Sequence, residues 1–255
     1  MIERIVVLSH WYNEELLAPL FFNHYQYCDE IRVLLDVDTN DRTRQIMRDY
    51  SFNGCRINLV SVHCNDGMDN IQMLENINNA ILDVKDGWIY MVDADEFIFP
   101  EHNEDPHKFL SRQSAEVVNC LYFHVYRHTS DGDINYSLPP IPQRTHAMEG
   151  GPEHKNWFLK PSVFRAEAKV QLTIGNHKFK GEHSVSGEKY IGAHWKQADP
   201  EICIPRRLSN KERHSQHDHK KRWGYHDFHV TAESLKKQLD ERSDYPQLKY
   251  FMEGR

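Results

Sequence analysis

Gly87-Trp88-Ile89-Tyr90-Met91-Val92-Asp93-Ala94-Asp95-Glu96-Phe97-Ile98-Phe99-Pro100 is the stretch that decides how the chain is read. Trp88 to Val92 form an apolar run with the length and composition of a strand buried on both faces of a sheet. Asp93, Asp95 and Glu96 follow with no polar transition. An unpaired carboxylate is costly to bury, so these acids belong past the carboxyl end of the strand. That is the edge at which open α/β sheets bind ligands. Asp93 and Asp95 share a face of an extended backbone, and a turn at Ala94 would re-aim them. Oxygen donors of this kind suit a hard divalent cation, Mg2+ or Mn2+, with positions left open for a phosphorylated substrate. The plainer alternative is a solvated turn, because D-x-D alone is a common pattern. The strand before it and the F-I-F-P return into the core after it favour the metal site.

Upstream, strand and helix patterns alternate. Residues 2–8 read as a first buried strand, ending where S-H-W-Y-N-E-E turns polar. From Glu14 the apolar spacing is helical, with Asn13 placed to cap it. Residues 31–35 are a second strand, followed by the acidic D-V-D-T-N-D-R-T and a helical stretch over 43–50. Residues 57–62 form a third strand. Ile71, Leu74, Ile77, Ala80, Ile81 and Val84 then stripe one face of a helix. This alternation predicts an α/β fold with a mainly parallel sheet flanked by helices, and puts Asp36, Asp38 and the Asp93–Glu96 cluster at one edge. Asx turns are the alternative role for Asp36, Asp38 and Asp41. Neither G-x-G-x-x-G nor a P-loop follows the first strand, which disfavours the Rossmann dinucleotide fold.

The 255 residues are 39% hydrophobic and 27% charged, which is the composition of a globular chain with ample core material. A net charge of -7 excludes a general nucleic-acid binder. Five cysteines without C-x-x-C spacing predict buried thiols in a reducing compartment, not disulfides or a zinc site. The N-terminal apolar run is too short for a signal sequence, and no apolar stretch is long enough for a membrane span. A cytoplasmic location is the resulting expectation.

W-Y-N-E-E, L-D-V-D-T-N-D-R-T and W-I-Y-M-V-D-A-D-E-F-I together make the first hundred residues resemble the donor half of a family 2-like GT-A glycosyltransferase, in the subgroup with a D-A-D-E-F form of the D-x-D motif. The resemblance implies a metal-dependent hexosyltransferase-like enzyme moving a sugar from a nucleoside-diphosphate donor, a UDP-sugar first among them, to a carbohydrate or lipid-linked acceptor, with inversion. By position, Asn13, Glu14, Asp36, Asp38 and Asp93 fall in the donor-binding loops. Asp93 and Asp95 fall on the metal motif. The second loop departs from the usual D-x-G-S-x-D-G-T wording, with Asp38 and Arg42 replacing small residues. Residues 1–105 read as the donor half and 106–255 as the acceptor-side half with a helical tail, in one continuous domain.

The second half is less regular. Residues 121–126 and K-P-S-V-F-R suggest strands, and the prolines between 139 and 152 predict an irregular connection over the site. T-I-G-N-H follows a further strand and resembles the piece that supplies a metal-binding His in related enzymes, giving His177. His194 and Trp195 are candidates for the acceptor pocket, with ordinary packing as the alternative. Residues 206–221, rich in Lys, Arg and His, read as a solvated basic helix or loop, with contact to a diphosphate or an anionic acceptor as the alternative, and residues from Thr231 as a capped helix. Inversion needs a base for the acceptor hydroxyl. Glu149 and Glu153, beside Gly150 and Gly151, are the catalytic candidates, with Glu182 as another. Two other readings are a Mg-dependent nucleotidyltransferase, for which the first strand offers no phosphate loop, and a non-catalytic carbohydrate-binding protein, which would not need the acidic cluster.

Overall fold

The computed structural model describes residues 3–50, 54–64, 67–148, 159–224, 227–243 and 245–248. From the N-terminus the chain runs β1 (Ile5–Trp11), α1 (Ala18–Tyr25), β2 (Glu30–Asp36), α2 (Thr43–Asp49), β3 (Arg56–Val62), α3 (Asn70–Asp83), β4 (Trp88–Met91), β5 (Glu96–Pro100) and α4 (Pro106–Ser111). The rest runs β6 (Val117–Tyr126), β7 (His146–Met148), β8 (Leu159–Arg165), the short pair β9 (Gln171–Leu172) and β10 (Phe179–Lys180), β11 (Tyr190–Gln197), α5 (Pro200–Arg213), α6 (Gln216–Lys221) and α7 (Ala232–Asp240).

Among the described residues nine strands join in one sheet, ordered β3-β2-β1-β4-β8-β6-β11-β5 with β7 on β6. β1, β2, β3 and β4 pair in parallel. β8 is antiparallel to both β4 and β6, so β6 and its parallel neighbour β11 point the same way as β4. Six strands therefore end at one edge. The α/β class, a central sheet flanked by helices with its first four strands parallel, is as predicted.

β1 shows why these segments became strands. Ile5 and Val7 face one core cluster with Phe21 and Phe22 of α1, while Val6 and Leu8 face a second cluster with Ile77 and Ile81 of α3. Each such fully buried side chain contributes about 1.5–3 kcal/mol, so the sheet is locked from both sides. β1 runs on to Trp11, past the predicted end. Its polar residue Ser9 is tolerated inside because its hydroxyl accepts the indole N–H of Trp11 at 2.7 Å.

Three further local readings differ from expectation. Asn13 does not cap α1. It sits at φ 50°, and the helix starts at Ala18 after a turn closed by two amides on the Glu14 carbonyl. The described part of the proline-rich connection, residues 139–148, buries Ile141 and Arg144 and pairs β7 to β6, while residues 149–152 lie outside the described residues. β9 is only two residues long, and Gly175 and Asn176 turn back at positive φ. All five cysteines are buried and unbonded to each other. Thr231 caps α7 in a reciprocal capping box with Ser234. No helix among the described residues is long and apolar enough to cross a membrane.

Candidate functional site

The shared carboxyl edge opens onto a cavity of about 720 Å³. Tyr12 follows β1, Asp36 ends β2, and Asp93 to Asp95 follow β4, while Lys160 begins the antiparallel β8 at the same edge. His124, His194 and Lys196 come from the late positions of β6 and β11.

The predicted donor residues separate into two groups. Glu14 and Asp36 line the cavity. Asp36 is buried and receives the Arg213 guanidinium at 2.7 Å, while that guanidinium stacks 3.1 Å above the Tyr12 ring. Asn13 and Asp38 are not in the lining. Asn13 exchanges two hydrogen bonds with Asn40, each 2.9 Å, and so ties the first loop to the second. Asp38 is exposed, and its amide donates to the Asp36 carboxylate at 2.9 Å.

At the centre, Asp93 and Asp95 have different surroundings. Asp95 is buried, with Arg206 at 2.7 Å and the His194 ring at 3.5 Å. Burial alone would push its carboxyl up. Arg206 and His194 reverse that and hold it well below the ordinary carboxylate range. The same Arg206 bonds Glu14 at 2.8 Å. Burial of Glu14 outweighs this partner and raises its carboxyl to about 7, and its second oxygen finds no hydrogen-bond partner among the described residues. Asp93 keeps 46% of its side chain exposed, with the Lys160 ammonium 3.5 Å away. Lys160 chiefly pairs with the buried Glu96, whose other oxygen accepts the Asp93 amide at 3.0 Å. Burial lowers the Lys160 ammonium, and Glu96 and then Asp93 more than reverse it, so its charge is secure.

His177 reaches the cavity from the turn after β9. A Cβ at Gly175 would stand 2.9 Å from its ring, and the backbone there is at φ 77°, so only glycine fits beneath the imidazole. Desolvation, then Lys160, lower His177 to about 4, which leaves it neutral and able to ligate. Glu149 and Glu153 lie outside the described residues, and Glu182 is exposed away from the cavity. His194 lines the cavity, whereas Trp195 is fully buried against Phe97.

The basic segment differs most from its sequence reading. α5 puts Arg206, Asn210 and Arg213 on one face, at i, i+4 and i+7, and that face lines the cavity. Asp199 caps the helix and pairs with buried Arg144 at 2.9 Å, while Ile202 and Cys203 pack inward, so the cationic face lies over the strand ends. Lys220 and Lys221 are exposed as predicted. In H-S-Q-H-D-H, buried His214 and Asp218 stand 3.4 Å apart, and Asp218 accepts from the Asn70 amide group at 2.6 Å. This joins α6 to the start of α3. Lys160 was missed because it interrupts an apolar strand without a motif. The i, i+4, i+7 spacing of Arg206, Asn210 and Arg213 was the available signal for α5.

The divalent cation implied by the resemblance meets a partial donor set. Among the described residues no three His, Cys, Asp or Glu side chains converge to hold one, and Arg206 already neutralises Asp95. Of the three predicted ligands, Asp93 and His177 line the cavity without the guanidinium partner that Asp95 has. Two protein ligands suffice for a hard cation that is otherwise held by substrate phosphates and water. The residues therefore fit a cation that arrives with its substrate.

No family model and no curated protein matches the sequence. Solved structures with a similar chain path include residues 1–349 of S. aureus TarS in complex with UDP-GlcNAc, at 15% identity over 93% of this chain and 71% of that one, TM-score 0.46. The same protein in complex with UDP is similar at 13% identity over 93% and 70%, TM-score 0.44. HddC from Yersinia pseudotuberculosis is similar at 12% identity over 74% of this chain and 92% of that one, TM-score 0.36. At these scores the likeness carries no argument about function.

Proposed function

We propose that the protein is a glycosyltransferase that takes a sugar from a nucleoside-diphosphate donor, with a UDP-sugar as the first candidate. One observation carries the reading. The acids after β2 and β4 and the cations Lys160, Arg206 and Arg213 open onto a single cavity at the carboxyl edge of the parallel strands. A nucleotide sugar presents matching chemistry, a polar base and ribose at one end and a diphosphate in the middle. Tyr12 and Asp36, which line the cavity, would contact the nucleoside. Lys160 and Arg206 would offset the charge that builds on the departing diphosphate. Mg2+ or Mn2+, held by Asp93 and His177, would supply Lewis-acid assistance to that leaving group, and Asp95 would join only on release from Arg206. The acceptor hydroxyl oxygen bonds to the anomeric carbon, the bond to the β-phosphate oxygen breaks, and the nucleoside diphosphate leaves with the electron pair. The hydroxyl proton passes to a base, and Glu149 and Glu153 stay the candidates for that role in an inverting reaction.

Calorimetry with UDP, GDP and dTDP, each with and without Mn2+, tests the reading. One nucleotide should bind in a Mn2+-dependent manner, more weakly in Asp93→Asn and Asp95→Ala. Binding of none of the three by the wild-type chain would refute the proposal.

A further inference from the structure

In the sheet, β1 lies between β2, which ends at Asp36, and β4, which leads into Asp93. His10 of β1 pairs with Leu34 on one side, two residues before Asp36, while on the other the Val92 amide donates to the Leu8 carbonyl. His10 therefore stands in the gap between the two acids, and all three line the cavity. Strand alternation puts it on the face of Val6 and Leu8, which pack with Ile77 and Ile81 of α3. An apolar ring would continue that packing. His10 instead brings an imidazole whose Nε2 finds no hydrogen-bond partner among the described residues. The acids on either side are engaged elsewhere, Asp36 by Arg213 and Asp93 by Lys160. Burial lowers the His10 ring to about 4 against the opposing pull of Asp36 and Asp93, so it stays neutral at ordinary pH. A neutral imidazole has one N–H donor and one acceptor, which suits a hydroxyl better than a phosphate.

A nucleoside diphosphate runs from base to ribose to diphosphate. With its base toward Tyr12 and Asp36 and its diphosphate toward Lys160 and Arg206, its ribose would lie over the end of β1. We propose that His10 is a specificity-determining residue that hydrogen-bonds a ribose hydroxyl of the donor, so that the site prefers a ribonucleotide to its deoxy forms. The inference rests on the nucleotide-sugar reading for its ligand, and on the place and chemistry of His10 for its content. A site built to hydrogen-bond a hydroxyl rejects the analogue that lacks it, because its own polar atom is left unpaired.

The test is calorimetry on the full chain with Mn2+, using UDP, GDP, the 2′-deoxy and 3′-deoxy forms of each, and dTDP. For whichever of UDP and GDP binds, one deoxy form should bind about ten-fold more weakly, the effect of one hydrogen bond, and that form names the hydroxyl. His10→Phe and His10→Leu remove the polar ring in two sizes, so that either one decides if the other fails to fold. Each should lower affinity for the ribonucleotide about ten-fold and bring it within about two-fold of the deoxy form. Equal binding of the ribonucleotide and both deoxy forms by the wild-type chain would overturn the proposal. So would an undiminished preference in the folded variant, or binding of dTDP alone, each of which leaves the donor reading standing. Binding of none of these nucleotides would remove the donor reading and this inference with it.

Discussion

Arg206 joins two buried carboxyl groups, and in its absence Glu14 would lose its cation while Asp95 would keep the His194 ring. Removing one member of a buried ionic group strands the others, at a cost of about 3–5 kcal/mol. Arg206→Ala should therefore lower the urea midpoint by an amount of that order, and Arg206→Lys, which keeps charge but loses the two-pronged geometry, by less. An Arg206→Ala variant of wild-type stability would show that the triad is not formed. His124 supplies a test in pH. Burial lowers its imidazole from 6.5 to about 2, so between those values the unfolded chain binds the extra proton. Its contribution to stability is complete above about pH 6.5 and is lost as the pH falls toward 2. His124→Gln should flatten the decline of the unfolding midpoint between pH 6.5 and 4, and an unchanged slope would count against it. At this scale the sequence was informative where a motif fixed the position: Asp36, Asp93 and Glu14 were all placed by the strand that precedes them. It offered Arg206 only as one member of a basic stretch, because its place at the site depends on a helix arriving from far along the chain.

α5 is the element that turns a sheet edge into an enclosed site, and its own sequence argues against it. Pro205 sits inside the helix, where it removes a backbone hydrogen bond. Tertiary packing of Ile202 and Cys203 and the Asp199 cap outweigh that propensity, which no local pattern reveals. The strands were legible for the opposite reason, since residues buried on both faces must be apolar throughout. The C-terminal end of α5 is held by the Gly67–Met68 loop, where the Met68 amide donates to the Arg213 carbonyl at 2.6 Å and the Ser215 amide to the Met68 carbonyl at 3.0 Å. A Cβ at Gly67 would collide with that Arg213 carbonyl, and φ there is +69°. Gly67→Ala should displace Arg213 and weaken nucleotide binding about five-fold or more, with a stability loss of about 1–3 kcal/mol. Gly54 also has positive φ but open space around its Cβ, so Gly54→Ala should destabilise without affecting the nucleotide. Equal nucleotide affinity in both variants would remove α5 from the site.

For the molecule as a whole, a chain of net charge -7 gathers Lys160, Lys196, Arg206, Arg207, Arg213 and Arg242 around one cavity. Total charge excluded a nucleic-acid binder but said nothing about this concentration of cations, because composition has no address in space. A diphosphate held by these cations should bind less tightly as salt rises, and raising NaCl from about 0.05 to 0.5 M should weaken nucleotide affinity several-fold. A flat salt dependence would point to binding outside the cavity. The central claim is that one nucleoside diphosphate bridges the strand-end acids and α5. Amide hydrogen exchange on the full chain, with Mn2+ and each of UDP, GDP and dTDP in turn, tests it most directly. The account predicts that one nucleotide slows exchange together at residues 12–14, 36–39, 93–96 and 206–213. Protection with none of the three, or protection confined to segments away from that edge, would contradict it.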